Sequence, residues 1–264
     1  MARVLNKKAA QIELLKSEAE ANYSASRWED SAKTYEHLVG LAQDNEELAL
    51  AIDFAIAAIR AWDNMPDKTA RILRLYQAIG IIGLKKAALG YESLAKEAEQ
   101  QGNKKLAATN FEVAADGYNY IMNYKLAKDY YLIAIKLFKD LSEAATKNAD
   151  HESAIHLYDK ICSLYSKLAI LIGKTIIDEK KNLKEEELKA YIDEKKAAET
   201  NCIVTKKKIA ISHEQLALNF LKENESEYNQ IAIKELKKAL TILEEVDDTK
   251  EALKIKDKIK KIKV

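Results

Sequence analysis

Small, ring and apolar residues recur along this chain at a spacing of four and then three. The sets are Ser31/Tyr35/Leu38, Ala87/Tyr91/Leu94, Ala107/Phe111/Ala114, Ala127/Tyr131/Ala134 and Ala154/Tyr158/Ile161, and Ala232/Leu236/Ala239 repeats the pattern with Leu in the ring position. Positions three and four apart share one face of an α-helix. A small side chain there lets a neighbouring helix approach, and the ring fills the space beside it. The pattern predicts stacked amphipathic helices. No run shows the strict alternation of a half-buried strand, and one proline and seven glycines leave few breakers. The expected fold is all-α.

Turn residues place the expected breaks at Tyr23 to Arg27, Gln43 to Asn45, Asn64 to Pro66, Gly80 to Gly83, Gln101 to Asn103, Met122-Asn123, Asn148 to Asp150, and from Gly173 onward. Asp44, Pro66 and Asp150 are helix-start signals. Tyr91, Phe111 and Tyr131 stand 20 positions apart, so two helices make a unit in the size range of helical solenoid repeats. Beyond Gly173 the chain grows denser in charge and has no Gly or Pro. Longer helices are expected over about 183–223, with a break near Thr200-Asn201, and over 227–246 and 248–262. The expected division is a solenoid over 1–175 and a charge-rich helical bundle over 176–264, continuous with it.

A length of 264 residues with 48% hydrophobic residues can bury a large core. A net charge of +1 argues against electrostatic binding of nucleic acid by the whole molecule. Cys162 and Cys202 lie far apart with no partner motif. That reads as a reducing compartment rather than a disulfide framework. The first residues lack the apolar stretch of a signal peptide, and the expected location is the cytoplasm.

Phe111, Ala114, Ala115 and Tyr118, followed by Tyr124, Ala127, Tyr131, Ala134, Ile135 and Leu137, resemble the tetratricopeptide repeat, a helix-turn-helix with small residues at the close contact. Tyr91, Leu94, Ala95, Gly102, Ala107, Phe111 and Ala114 fit the same pattern one helix earlier. Helices that interchange in this way, together with the run Asn123 to Tyr130, resemble the soluble NSF-attachment proteins (SNAP adaptors). That resemblance implies a right-handed solenoid of antiparallel helix hairpins with a C-terminal bundle. It also implies a coiled-coil or helical protein partner and an AAA-type ATPase in membrane trafficking. The turn Tyr23 to Arg27 carries one aromatic where that class has a loop of exposed Phe, and the tail is basic where theirs is acidic.

The candidate chemistry is sparse. His151 and His156 are five apart, about 140° round a helix, which points them away from one shared metal ion. No Gly-rich loop follows a strand, and acids alternating with Lys read as a solvated face. The chain is therefore expected to be a non-enzymatic adaptor that needs no metal or cofactor. A generic scaffold, or a solenoid that senses a peptide or small ligand, is the alternative. Candidate partner-binding residues are Tyr120 and Tyr124, from a cluster of tyrosines, and Lys256, Lys258, Lys260, Lys261 and Lys263 on the basic tail. The tail's stripe of Ala252, Ile255, Ile259 and Ile262 either docks on the bundle or forms an amphipathic helix touching an acidic partner or the membrane periphery.

Overall fold

The computed structural model describes residues 2–223 and 226–262, with backbone alone at 2–7 and 226. Every element among them is helical: α1 (Ala2–Ser24), α2 (Trp28–Asp44), α3 (Leu48–Asp63), α4 (Thr69–Gln100), α5 (Lys104–Tyr120), α6 (Tyr124–Lys147), α7 (His151–Glu179), α8 (Glu185–Leu221), α9 (Ser226–Glu245) and α10 (Thr249–Lys261). The fold is all-α, with helix hairpins packed in succession within each unit. The chain divides into two compact units, Met1–Gly90 and Tyr91–Val264. The expected border at residue 175 lies inside α7.

In the first unit α2 packs against both α1 and α3. Ser31 is fully buried, and its hydroxyl donates to the Ala19 carbonyl at 2.9 Å, so the small residue does bring α1 and α2 together. Trp62 fills the centre and donates from its indole nitrogen to Glu36 at 2.6 Å, which satisfies a polar atom that burial would otherwise strand.

In the second unit α6 packs on α5 and α7, α8 on α7 and α9, and α10 on α9. Phe111 and Tyr118 both stack on Tyr130, at 5.5 and 5.6 Å between ring centroids. The Tyr118 hydroxyl donates to Glu92 at 2.8 Å. Burial first, then the Glu92 carboxylate, pushes the Tyr118 and Tyr130 phenols up. Most of the tyrosine cluster is thus packing. The last cluster joins Ala217, Ala232, Leu236, Ala239, Ala252 and Ile255, with Ile259 and Ile262 against it. The tail helix therefore docks its apolar stripe.

Five of the six sequence triplets are buried, but Ala87, Tyr91 and Leu94 are exposed. The expected break at Gly80 to Gly83 is absent and α4 runs straight through it. An interior glycine costs a helix only about 1 kcal/mol. The core side of α4 is set one position later, by Ala88, Ala95 and Ala98, so the 20-residue rhythm begins at Phe111. The break expected from Gly173 onward comes only after Glu179, where α7 ends before α8 begins at Glu185, and the break expected near Thr200 is absent, since α8 is unbroken.

One turn recurs instead. Ser26, Glu46, Gly102, Met122, Ala149 and Asp247 each have positive φ. The next residue in each case sends its N–H back five positions, as in Asn123 to Tyr118 and Asp150 to Ala145, both within 3.0 Å. This is the Schellman closure of one helix. In the second unit the following residue caps the next helix at once: Asn103, Asn123, Asp150 and Asp248 each accept a backbone N–H three residues on. Only Gly102 of these six is a glycine. Ala149→Gly should raise stability by about 1 kcal/mol, because the left-handed conformation costs a side chain about 1–2 kcal/mol and glycine returns part of that as unfolded-chain entropy. Urea midpoints check it.

A buried polar clip joins α8 to α9. Nδ1 of His213 lies 2.7 Å from Glu235, and Lys238 holds the other Glu235 oxygen at 2.7 Å. Burial opposes ionisation of Glu235, but Lys238 and His213 outweigh it and hold the carboxyl below its ordinary 4.5. A depressed carboxyl stabilises the fold above its unfolded value and loses that contribution as pH falls through the folded value. Stability should decline as pH drops below about 4.5, and Glu235→Gln should flatten that decline in urea melts taken across the range.

Candidate binding groove between α6 and α8

Helix α7 packs on both α6 and α8, so it forms a floor with those two helices as walls. The buried face of α7 supplies the floor through Leu168, Leu171 and Ile172, each at most 4% exposed. One chamber, of about 480 Å³, is bounded by Met122 and Asn123 in the turn before α6, by Tyr124, Lys125 and Lys128 of α6, by Leu171, Ile172, Thr175 and Glu179 of α7, and by Tyr191 of α8. A second, of about 230 Å³, continues past Leu132, Leu168 and Ala198. The chambers share Lys128 and Ile172.

Lys128 bridges the walls. Its ammonium lies 3.0 Å from Glu194 and 5.8 Å from the centre of the Tyr191 ring. Glu194 is 47% exposed and Lys128 28%, so this clasp has a modest energy. Tyr124 donates to Asp178 at 2.5 Å, and that hydrogen bond is the first cause of its raised pKa. Around the mouth, Met122 and Leu132 are 72% and 44% exposed. Met122 also holds a positive φ of 61°, which belongs to the Schellman closure of α5 described above.

On the other side of α7, charge bridges it to α5. Lys167 of α7 bonds both Glu112 and Asp116 of α5 at 2.8–3.1 Å, and Lys160 holds the other Glu112 oxygen at 3.0 Å. Burial pulls the Lys167 pKa down, but the two carboxylates outweigh it and the net shift is upward. A further hollow of about 430 Å³ lies on this side, among Lys105, Phe138, Leu157 and Lys160.

Of the residues expected to bind partners, Tyr124 lines the groove, and Tyr120, on the last turn of α5, is 74% exposed without lining it. The tail lysines line neither chamber. Lys256 pairs with Glu244 at 2.8 Å, Lys258 with Glu214, and Lys260 approaches Asp257 at 4.0 Å. Lys261 borders another hollow with Lys258 and Ile262. Lys263 lies outside the described residues.

The sequence reading missed the α8 wall and the cysteines. Cys162 and Cys202 are disulfide-bonded, with Cα atoms 4.7 Å apart, which corrects the expectation of unlinked thiols. The inference to a reducing compartment falls with it. The signal was present in the sequence. Helices α7 and α8 fold back around Asn182, and each cysteine stands 20 residues from it. Partners equidistant from a hairpin turn meet.

Among the described residues no helix is long and apolar enough to cross a membrane. No family model matches the chain, and no curated protein does. Among solved structures, a circular tandem repeat protein with novel repeat topology and enhanced subunit contact surfaces is similar at 16% identity and a TM-score of 0.31; the match covers 95% of this chain and 56% of that one. BtubC (BKLC) from P. vanneervenii is similar at 16% identity and a TM-score of 0.26, over 95% of this chain and 92% of that one. The chain thus spans little more than half of the first. Both superpositions are loose.

Proposed function

We propose that this protein is a non-enzymatic helical scaffold whose α6–α8 groove holds an amphipathic helical segment of a partner protein. The observation that carries the reading is the groove itself: an apolar floor, a mouth in which exposed Met122 and Leu132 stand among polar and charged side chains, and a weak clasp between its walls. From Tyr191 to Asn201, both on the α8 wall, ten residues of helix run about 15 Å. That length accommodates two to three turns of a partner helix, whose i, i+3, i+4 and i+7 side chains would reach the floor.

The test is to select binding peptides from a displayed helical library on the whole chain and then measure their affinity for two variants. Leu132→Glu places a charge in the mouth and should weaken binding by about tenfold or more. Leu253→Glu, at an exposed leucine of α10, should leave it unchanged. Equal effects at both positions, or none, would contradict the groove.

The SNAP-like resemblance supports a narrower version, in which the partner is a coiled-coil bundle of a membrane-fusion complex and an AAA-type ATPase joins it. A purified bundle and ATPase that both fail to bind, while groove peptides bind, would leave the scaffold and remove the narrower version.

A further inference from the structure

We propose that the Cys162–Cys202 disulfide is a thiol-reducible latch that sets the position of the groove's α8 wall. The proposal rests on the groove reading above and adds its regulation.

From Glu185 to Ala197 no side chain of α8 is buried, whereas Ala198, Thr205, Ile209, Ala210, Ser212, His213 and Ala217 all are. The unanchored stretch is the groove wall, since Tyr191, Glu194 and Ala197 line the chambers. It is held by part-buried contacts and the Lys128–Glu194 clasp. Cys202 lies just past the boundary between the two stretches, and its bond ties α8 to α7 there. Ala198 and Asn201, immediately before it, border the second chamber, as does Tyr165 of α7, three residues from Cys162. A covalent tie at this point fixes the pivot about which the wall can swing.

The bond is also open to exchange. Cys162 is buried at 9% exposure, but Cys202 is part-exposed and has the Ser166 hydroxyl 3.7 Å from its sulfur. The thiolate of a small thiol attacks Cys202 Sγ, forms a mixed disulfide and breaks the bond to Cys162. Cys162 leaves as a thiolate and takes a proton from water. A second thiolate then attacks the small-molecule sulfur, releasing Cys202 as a thiolate, which is protonated, and the oxidised small-molecule disulfide. Two protein thiols are gained and two small thiols are oxidised. With the tie gone the wall loses preorganisation, and the groove binds its segment more weakly.

Limited trypsin digestion of the whole native chain, oxidised and reduced with dithiothreitol, tests the latch without any partner. In the reduced chain, cleavage at Lys189, Lys195 and Lys196 should accelerate by about tenfold or more and precede cleavage at Lys206 to Lys208. Cys202→Ser without reductant should give the same pattern. An unchanged rate at Lys189 to Lys196, or one common rate at both groups, overturns the latch, as does a disulfide that dithiothreitol does not open in the native chain. Peptide affinity is read separately. A failed digestion pattern with Leu132-dependent binding intact sinks the latch alone, and loss of that dependence sinks the groove.

Discussion

Tyr131→Ala should cost the second unit about 3–5 kcal/mol, as deletions of fully buried rings do. The ring is 1% exposed, and it occupies the ring position between Ala127 and Ala134, both fully buried. Its hydroxyl donates to Asp116 at 2.5 Å, and Lys167 sits 5.9 Å from the ring centre. Burial first, then the Asp116 carboxylate, raises its pKa. Deleting the side chain leaves a cavity at the junction of α5, α6 and α7 and takes a donor from a carboxylate that also holds Lys167. Tyr131→Phe separates the two losses: it keeps the ring and should cost about 1.5–3 kcal/mol, the range for a hydrogen bond to a charged group. Urea unfolding followed by hydrogen exchange in α5–α7 measures both. A near-neutral Ala variant would place the ring outside the core.

Removing the disulfide is the second large effect. The linked cysteines are 40 residues apart, and closing a loop of that length restricts the unfolded chain by roughly 4 kcal/mol. Cys162→Ala together with Cys202→Ala should lower unfolding stability by about that amount. The effect acts on the unfolded state, whereas the latch acts within the folded one, so the two are read by different measurements. Equal urea midpoints for the double variant and the oxidised chain would contradict this restriction of the unfolded chain.

The helical class was legible because its signals are local. The spacing of four and three around Tyr35, Phe111, Tyr131, Tyr158 and Leu236 follows from helix geometry, and all five are buried. The turns at Gly102, Met122 and Ala149 were marked by Asn and Asp caps following at once. Local signals misled where geometry is permissive. Gly80 and Gly83 suggested a turn, but neither has a positive φ and neither has a neighbour within 4 Å of an added Cβ, so they merely extend α4. Tyr91 fell into the repeat by spacing yet lies on the exposed side, because the phase of a long helix is set by what packs on it.

The groove was legible only in part. Tyr124 was picked out by composition, from a cluster in which most rings are packing. The α8 wall could not be read from a stretch of charged residues, since Glu194 and Tyr191 acquire meaning only across the fold from Lys128. The basic tail was conspicuous in sequence, but Glu244 of α9 and Glu214 of α8 face its lysines and its apolar stripe is packed on the bundle, which turns a striped cationic helix into a docked cap. The disulfide's signal, two cysteines each 20 residues from Asn182, becomes readable once the α7–α8 turn is placed there.

The most direct measurement is a methyl NMR footprint of the whole oxidised chain with and without a selected groove peptide. Shifts should gather on Leu132, Leu168, Leu171, Ile172 and Ala198, and the methyls of Leu157 and Leu141 on the α5–α7 side should stay in place. Shifts centred on Leu157 and Leu141, with the groove methyls unmoved, would contradict a partner seated between α6 and α8.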